Sequence, residues 1–96
     1  MNQAKKVEII IESIHLAKIV RIMDELNLPG YSIIHEVTGH GSHGDREAED
    51  QITQALSNSY IIAICSDKQA TELAEQVAPK LKKFGGVCCI SSVVTL

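Results

Sequence analysis

The sequence predicts an α+β fold with the element order β-α-β-β-α-β. Three observations carry this. Apolar runs rich in β-branched residues at 7–12, 31–38, 60–65 and 87–96 read as strands. Two longer segments, 13–27 and 66–84, repeat apolar residues at helical spacing. Pro, Gly, Ser and Asn punctuate the connections. Four strands in one antiparallel sheet, with two helices on one face, is the ferredoxin-like arrangement. With 96 residues there is room for one core, so 1–96 reads as a single domain.

Along Val7–Glu12, Val7, Ile9 and Ile11 are expected on one face, and Glu8, Ile10 and Glu12 on the other. The first helix is expected over Ser13–Asn27, with Ser13 as N-cap and a buried stripe of Leu16, Ile19, Val20, Met23 and Leu26. Its opposite side carries Lys18, Arg21 and Glu25, and His15 is placed there in solvent. Leu28-Pro29-Gly30 is expected to end the helix. In the second strand, Tyr31, Ile33, His35 and Val37 share one face, and Ser32, Ile34, Glu36 and Thr38 the other.

The third strand, Tyr60–Cys65, is apolar on both faces. Ser66 and Gln69 then have the spacing of a capping box. The helix they open carries Ala70, Leu73, Ala74, Val77, Ala78, Leu81 and Phe84 on one stripe. Pro79 predicts a kink or a break, because it cannot donate to the carbonyl of Glu75. Gly85-Gly86 ends the helix, and Val87–Leu96 is a last strand that is again apolar on both faces. Two helices cover one face of such a sheet, so an apolar face is left bare and an oligomer is expected to bury it.

Composition excludes several classes. The net charge of −3 and the scarcity of aromatics argue against nucleic-acid binding. Residues 1–6 do not read as a signal peptide and no apolar run is long enough to span a bilayer, so the expected location is cytoplasmic, without membrane insertion. Cys65, Cys88 and Cys89 lie in apolar runs without CxxC spacing, and are expected as buried, reduced thiols. No nucleophile elbow or Cys-His arrangement is present, and the chain reads as non-enzymatic.

The unusual stretch is 39–57, which opens Gly39-His40-Gly41-Ser42-His43-Gly44 and continues Asp45-Arg46-Glu47-Ala48-Glu49-Asp50. Its glycines match the spacing of a dinucleotide fingerprint, but a charged segment follows where that motif needs a packed helix. It is not a P-loop, because Asp45-Arg46 stands where Lys-Ser/Thr is required. Glycine N–H groups with Ser42 and Arg46 suit an anion, against the acidic residues around them. Composition alone fits a solvated loop. An alternative uses His35, His40 and His43 as ligands for a divalent metal.

The run Gly30-Tyr31-Ser32-Ile33-Ile34-His35-Glu36-Val37-Thr38-Gly39-His40-Gly41 resembles the second strand and following loop of PII signalling proteins, the nitrogen regulatory protein P-II family. The resemblance covers nearly the whole chain and implies a homotrimer without catalytic activity. It implies an adenine nucleotide (ATP, ADP, AMP or cyclic AMP) in clefts between subunits, and a T-loop at 39–57 that reaches a regulated protein partner. Typical members follow the second helix with a Gly-Asp-Gly-Lys loop that holds phosphates. Here Phe84-Gly85-Gly86-Val87 leads straight into the strand with no lysine. No tyrosine for modification lies between Gly39 and Ser57, and His43 stands where members carry the glutamine used with 2-oxoglutarate and magnesium.

The chain is more similar to the divergent PII-like branch linked to bicarbonate transport and carbon metabolism. That branch carries Gly-x-Gly-Ser followed four residues later by Arg. Gly39, Gly41, Ser42 and Arg46 match this spacing and are the implied nucleotide contacts, with Gly85 and Gly86 as remnants of the second binding loop. The implied partner is a membrane transporter or a metabolic enzyme in nitrogen or inorganic-carbon metabolism. The metal alternative resembles the divalent-cation-tolerance proteins, which share the architecture.

Overall fold

The structure is a computed structural model that describes residues 1–41, 44–45 and 57–96. Its elements are β1 (Asn2–Glu12), α1 (Leu16–Glu25), β2 (Tyr31–Val37), β3 (His40–Gly41), β4 (Gly44–Asp45), β5 (Asn58–Cys65), α2 (Asp67–Phe84) and β6 (Val87–Thr95). Four strands form one antiparallel sheet in the order β2-β5-β1-β6, with both helices over one face. This is the ferredoxin-like arrangement predicted above. The short strands β3 and β4 pair separately, His40 with Asp45 and Gly41 with Gly44.

The core lies between sheet and helices. Val7, Ile9 and Ile11 of β1 alternate inward, as their spacing dictates, and meet Ile61 of β5, Ile19, Ile22 and Met23 of α1, and Leu73 and Val77 of α2. Truncating a fully buried Leu such as Leu73 to Ala removes about 2–5 kcal/mol of stability. β1 begins at Asn2 rather than at Val7. Its first residues are polar, but their backbone joins the ladder of β6, where Asn2 faces Thr95 and Lys6 faces Ser91. Pairing extends this strand where hydrophobic burial does not.

Ser13 is not an N-cap. A 3₁₀ turn over Ser13–His15 comes first, and α1 starts behind His15 with no side-chain cap. The Ser13 hydroxyl is held instead 2.7 Å from the buried Ser59 hydroxyl, while its N–H donates to the Ser57 carbonyl. α1 ends at Glu25, before the Pro-Gly pair. Asn27 takes a left-handed φ of 53°, Leu28 donates to the Met23 carbonyl and Asn27 to that of Asp24. These two bonds make a Schellman cap with asparagine in the place glycine usually takes.

β2 is irregular. Ile34 pairs with Tyr60 but Val37 pairs with Asn58, so His35 and Glu36 together oppose Ser59. This is a β-bulge, and Glu36 sits in it at φ 59°. The extra residue reverses the alternation, so Val37 joins the uncovered face and does not share the face of Ile33.

The capping box of α2 is present: Ser66 Oγ accepts from Gln69 N at 3.1 Å, and Gln69 Oε1 accepts from Ser66 N at 3.2 Å. The helix runs unbroken through Pro79. Glu75, whose carbonyl loses its donor there, is exposed like Pro79, so water can satisfy it. Ala78 is exposed and falls outside the buried stripe.

The second face of the sheet is bare. By register it carries Ile34, Tyr60, Ile62, Ile64, Ile10, Val87 and Cys89 around the charged pair Lys6 and Glu8. Ile34 is 54% exposed and Val87 53%. Cys65 is buried and Cys88 half-buried as expected, and burial pushes both thiols up. Cys89 is exposed, because β6 turns alternate residues to the bare face.

Gly86 is fixed by its surroundings. It has φ 119°, and a Cβ there would lie 2.6 Å from the Ile10 carbonyl oxygen and 3.0 Å from Leu81 Cδ2. Gly86→Ala should therefore cost about 1–3 kcal/mol. Gly30→Ala meets nothing within 4 Å and should be neutral or stabilising by up to about 1 kcal/mol. Denaturant unfolding of the two variants checks this; equal midpoints would refute the packing argument.

Candidate functional site

The candidate ligand residues are gathered at one end of the sheet. β1 and β2 finish there at Glu12 and Val37, and β5 and β6 begin there at Asn58 and Val87. Gly39 follows β2, and Gly85-Gly86 precedes β6. Since the order is β2-β5-β1-β6, the two glycine segments lie at opposite edges. Three strand spacings, about 14 Å, separate them within one subunit.

Gly85 and Gly86 form a turn that only glycine adopts readily, with φ of 80° and 119°. Gly85 caps α2 by donating to the Leu81 carbonyl at 2.7 Å. Among the described residues nothing lies within 4 Å of a Cβ built on Gly39. Gly41 lies in β3. Ser42, His43 and Arg46 lie outside the described residues, as does the helical spacing of Ala48, Ile52 and Ala55 or Leu56.

Both flanks of the loop stretch rest on one polar cluster that the sequence did not announce. Ser13 Oγ bonds Ser59 Oγ at 2.7 Å and accepts from Ser57 Oγ at 3.2 Å. Ser13, Ser57, His35 and Glu36 line a depression of about 320 Å³. His35 is exposed there, and Glu36 holds its left-handed conformation beside it. Nothing local marks this cluster, since it needs the pairing of β2 with β5.

For the metal alternative, His35 and His40 are separated by the bulge and the start of β3. Among the described residues no group of three or more His, Cys, Asp or Glu side chains could hold a metal ion.

His15 is half-buried rather than fully solvated. Its ring stacks on Phe84 with centroids 3.8 Å apart and planes inclined by 21°. Its Nδ1 is buried without a hydrogen-bond partner. Lys18 and Lys83 bring their ammonium groups to 5.3 and 5.2 Å from the same Phe84 ring.

On the bare face, Tyr60 donates its phenol proton to Glu8 Oε2, and Lys6 Nζ lies 3.7 Å from Glu8 Oε1. The hydrogen bond to Glu8 holds the Tyr60 phenol above its ordinary pKa of 10.0. Tyr31 is raised in the same way by its 3.0 Å bond to Asp24 Oδ1.

An antiparallel α+β subunit with one bare sheet face, and with glycine turns at opposite edges of one end, leaves the class of protein open. The sequence comparison makes the class specific. Residues 4–96 match the family described as Nitrogen regulatory protein P-II, and the chain belongs to that family. No curated protein matches it in sequence.

Among solved structures, the fold is similar to CPII, a nitrogen regulatory PII-like protein from Thiomonas intermedia K12, bound to ADP, AMP and bicarbonate. The two share 27% identity over 96% of this chain and 87% of that one, with a TM-score of 0.87. A second structure of that protein, bound to ADP, AMP and acetate, has a TM-score of 0.80 at 25% identity, over 98% of this chain and 90% of that one. A protein from Shewanella baltica OS155 of the family DUF3240 shares the fold alone, at 18% identity and a TM-score of 0.70, over 99% of this chain and 92% of that one. No helix among the described residues is long and apolar enough to cross a membrane.

The tyrosines allow a direct test. A raised folded-state pKa means that the neutral phenol is favoured by the fold. The stabilisation is therefore complete below pH 10.0 and is lost as pH rises through the folded-state value. Titration followed by tyrosinate absorbance should show both phenols ionising above 10.0, and Glu8→Gln should bring Tyr60 back towards it. Ionisation of both at 10.0 in the unmodified protein would refute the assignment.

Proposed function

We propose that this chain, a single domain over 1–96, forms a homotrimeric regulator that binds an adenine nucleotide between subunits and thereby controls a partner protein in nitrogen or inorganic-carbon metabolism. The observation that carries the reading is the placement of Gly39 and Gly85-Gly86 at opposite edges of the same sheet end. One subunit cannot bring them to one ligand. A head-to-tail ring sets the β2 edge of one copy towards the β6 edge of the next, and such a ring closes by cyclic symmetry. The same assembly covers the bare face with its exposed Ile34, Ile64 and Val87. The similar Thiomonas protein is bound to ADP, AMP and bicarbonate.

In this reading Gly39, Gly41, Ser42 and Arg46 act from one subunit and Gly85 and Gly86 from its neighbour. The nucleotide sits beside the root of 39–57, so that occupancy biases the conformation this loop offers to a transporter or a metabolic enzyme. The ligand shifts the loop only by its difference in affinity between loop states, and no bond of the ligand needs to change. The chain acts as a regulator and carries out no reaction.

Light scattering should give the mass of three subunits, and Ile34→Glu should lower it by placing a carboxylate on the bare face. ATP, ADP, AMP or cyclic AMP should raise the thermal midpoint, since a ligand at a hundred times its Kd adds about 2.7 kcal/mol to the folded state. Ser42→Ala and Arg46→Ala should each weaken binding by about tenfold. A monomeric protein, or one whose midpoint no adenine nucleotide moves, would overturn this reading.

A further inference from the structure

Four basic side chains form a row across the two helices. Lys18 and Arg21 stand three apart on α1, and Lys80 and Lys83 three apart on α2. Each pair therefore shares one side of its helix, with roughly 5–6 Å between Cβ atoms. Phe84 joins the two pairs, because the ammonium groups of Lys18 and Lys83 lie 5.3 and 5.2 Å from its ring centroid. Lys18, Arg21 and Lys83 are exposed, and Lys80 is half-buried.

Folding does not account for the whole row. Lysines late in α2 complement the negative end of its dipole. Lys18 does the reverse: it is the third residue of α1, at the positive end, where a cation is disfavoured. No carboxylate offsets the charge from nearby in sequence, since 13–23 and 76–86 contain neither Asp nor Glu. Asp24 and Glu25 bound the row one turn beyond Arg21. Among the described residues the ion pairs are Lys5–Asp67, Lys6–Glu8 and Lys68–Glu72, and none involves these four cations.

From this we infer that the row is a docking surface for an acidic segment of a partner protein. The inference goes beyond the nucleotide reading and does not depend on it. Carboxylates one turn apart on a helix, or on alternate residues of an extended segment, recur every roughly 5–7 Å, which matches the spacing of the cations within each helix. A flat anionic membrane fits less well. It would also face the acidic groups of a chain whose net charge is −3, whereas a short segment meets the row alone. The helices lie on the opposite side of the sheet from the bare face, so an assembly that covers that face leaves the row outside. The row also adjoins the loop stretch. Ser13, within two turns of chain from Lys18, donates its N–H at 2.7 Å to the carbonyl of Ser57, where 39–57 rejoins the sheet. A partner reached by that stretch therefore finds the row beside it.

The test titrates fluorescein-labelled octaglutamate with the full chain and follows anisotropy. The peptide should bind, and more weakly as salt is raised. The variant Lys18→Gln/Arg21→Gln/Lys80→Gln/Lys83→Gln should bind at least about tenfold more weakly, and Lys18→Gln/Lys83→Gln should fall between the two. Lys68→Gln, which removes a lysine from the first turn of α2, should leave the affinity unchanged. Circular dichroism verifies that each variant is folded.

No binding by the unaltered protein, or equal binding by the fourfold variant, would overturn the assignment. Binding of phosphatidylglycerol vesicles through the four cations, without binding of octaglutamate, would give the row to a membrane surface and overturn it as well. The thermal midpoint of the unaltered protein with ADP tests the nucleotide reading separately, so either can fail while the other stands.

Discussion

Val7, Ile9 and Ile11 lie beneath the helices at 1% exposure, while Lys6, Glu8 and Ile10 point from the same strand to the other side of the sheet. The alternation along β1 thereby divides the molecule into a packed half and an open half. Two helices are enough for one face of four strands and for no more. The open half is not an ordinary polar surface. Around the Lys6, Glu8 and Tyr60 group lie Ile10, Ile34, Ile62, Ile64 and Val87. At about 25 cal/mol per Å² of apolar surface, leaving this in water costs several kcal/mol, which favours covering it. The polar group at its centre supplies direction, because the Tyr60–Glu8 bond must be kept satisfied by whatever packs there.

The same sheet decides where the two glycine segments stand. Strand order puts β2 and β6 at the two edges, and both glycine segments hang from one end. The bulge at His35 and Glu36 swings the exit of β2, moves Val37 to the open face and leaves Glu36 in a conformation that costs a non-glycine residue of order 1 kcal/mol. At the other edge the Gly85-Gly86 turn is held by the close approach of Gly86 to β1. Both glycine segments therefore start from backbone that the sheet holds in place.

How far the sequence alone reaches is clear from particular residues. Ser66 and Gln69 were readable because a capping box is complete within four residues, and the inward triplet of β1 because period two needs no partner. The Gly-x-Gly after the second strand pointed to the P-II family, and residues 4–96 match it. The failures share one cause. Asn27 caps α1 ahead of the more conspicuous Pro29-Gly30, because the cap depends on carbonyls of Met23 and Asp24 being free to accept. The bulge in β2 exists only in pairing with β5, and the stack of His15 on Phe84 joins the two helices' surroundings. A strand's own pattern cannot announce an extra residue opposite Ser59. A histidine on the polar side of a helix looks solvated until the neighbouring helix delivers a ring to it.

That stack also changes how the missing lysine is understood. The P-II resemblance implies a lysine after the glycine turn, and here Val87 stands there and enters the strand. Charge at this corner comes instead from before the turn and from the other helix, through Lys83 and Lys18 on Phe84. A lysine after the turn would have to leave a strand that is already paired with β1 from Val87 onward. Lysines on α1 and α2 are free of that constraint, because exposed helical positions let a long side chain lay its stem over the aromatic ring while its ammonium stays in water. A shortened turn thus need not mean a neutral one. The charge at this corner can sit on elements whose backbone is already fixed by the core.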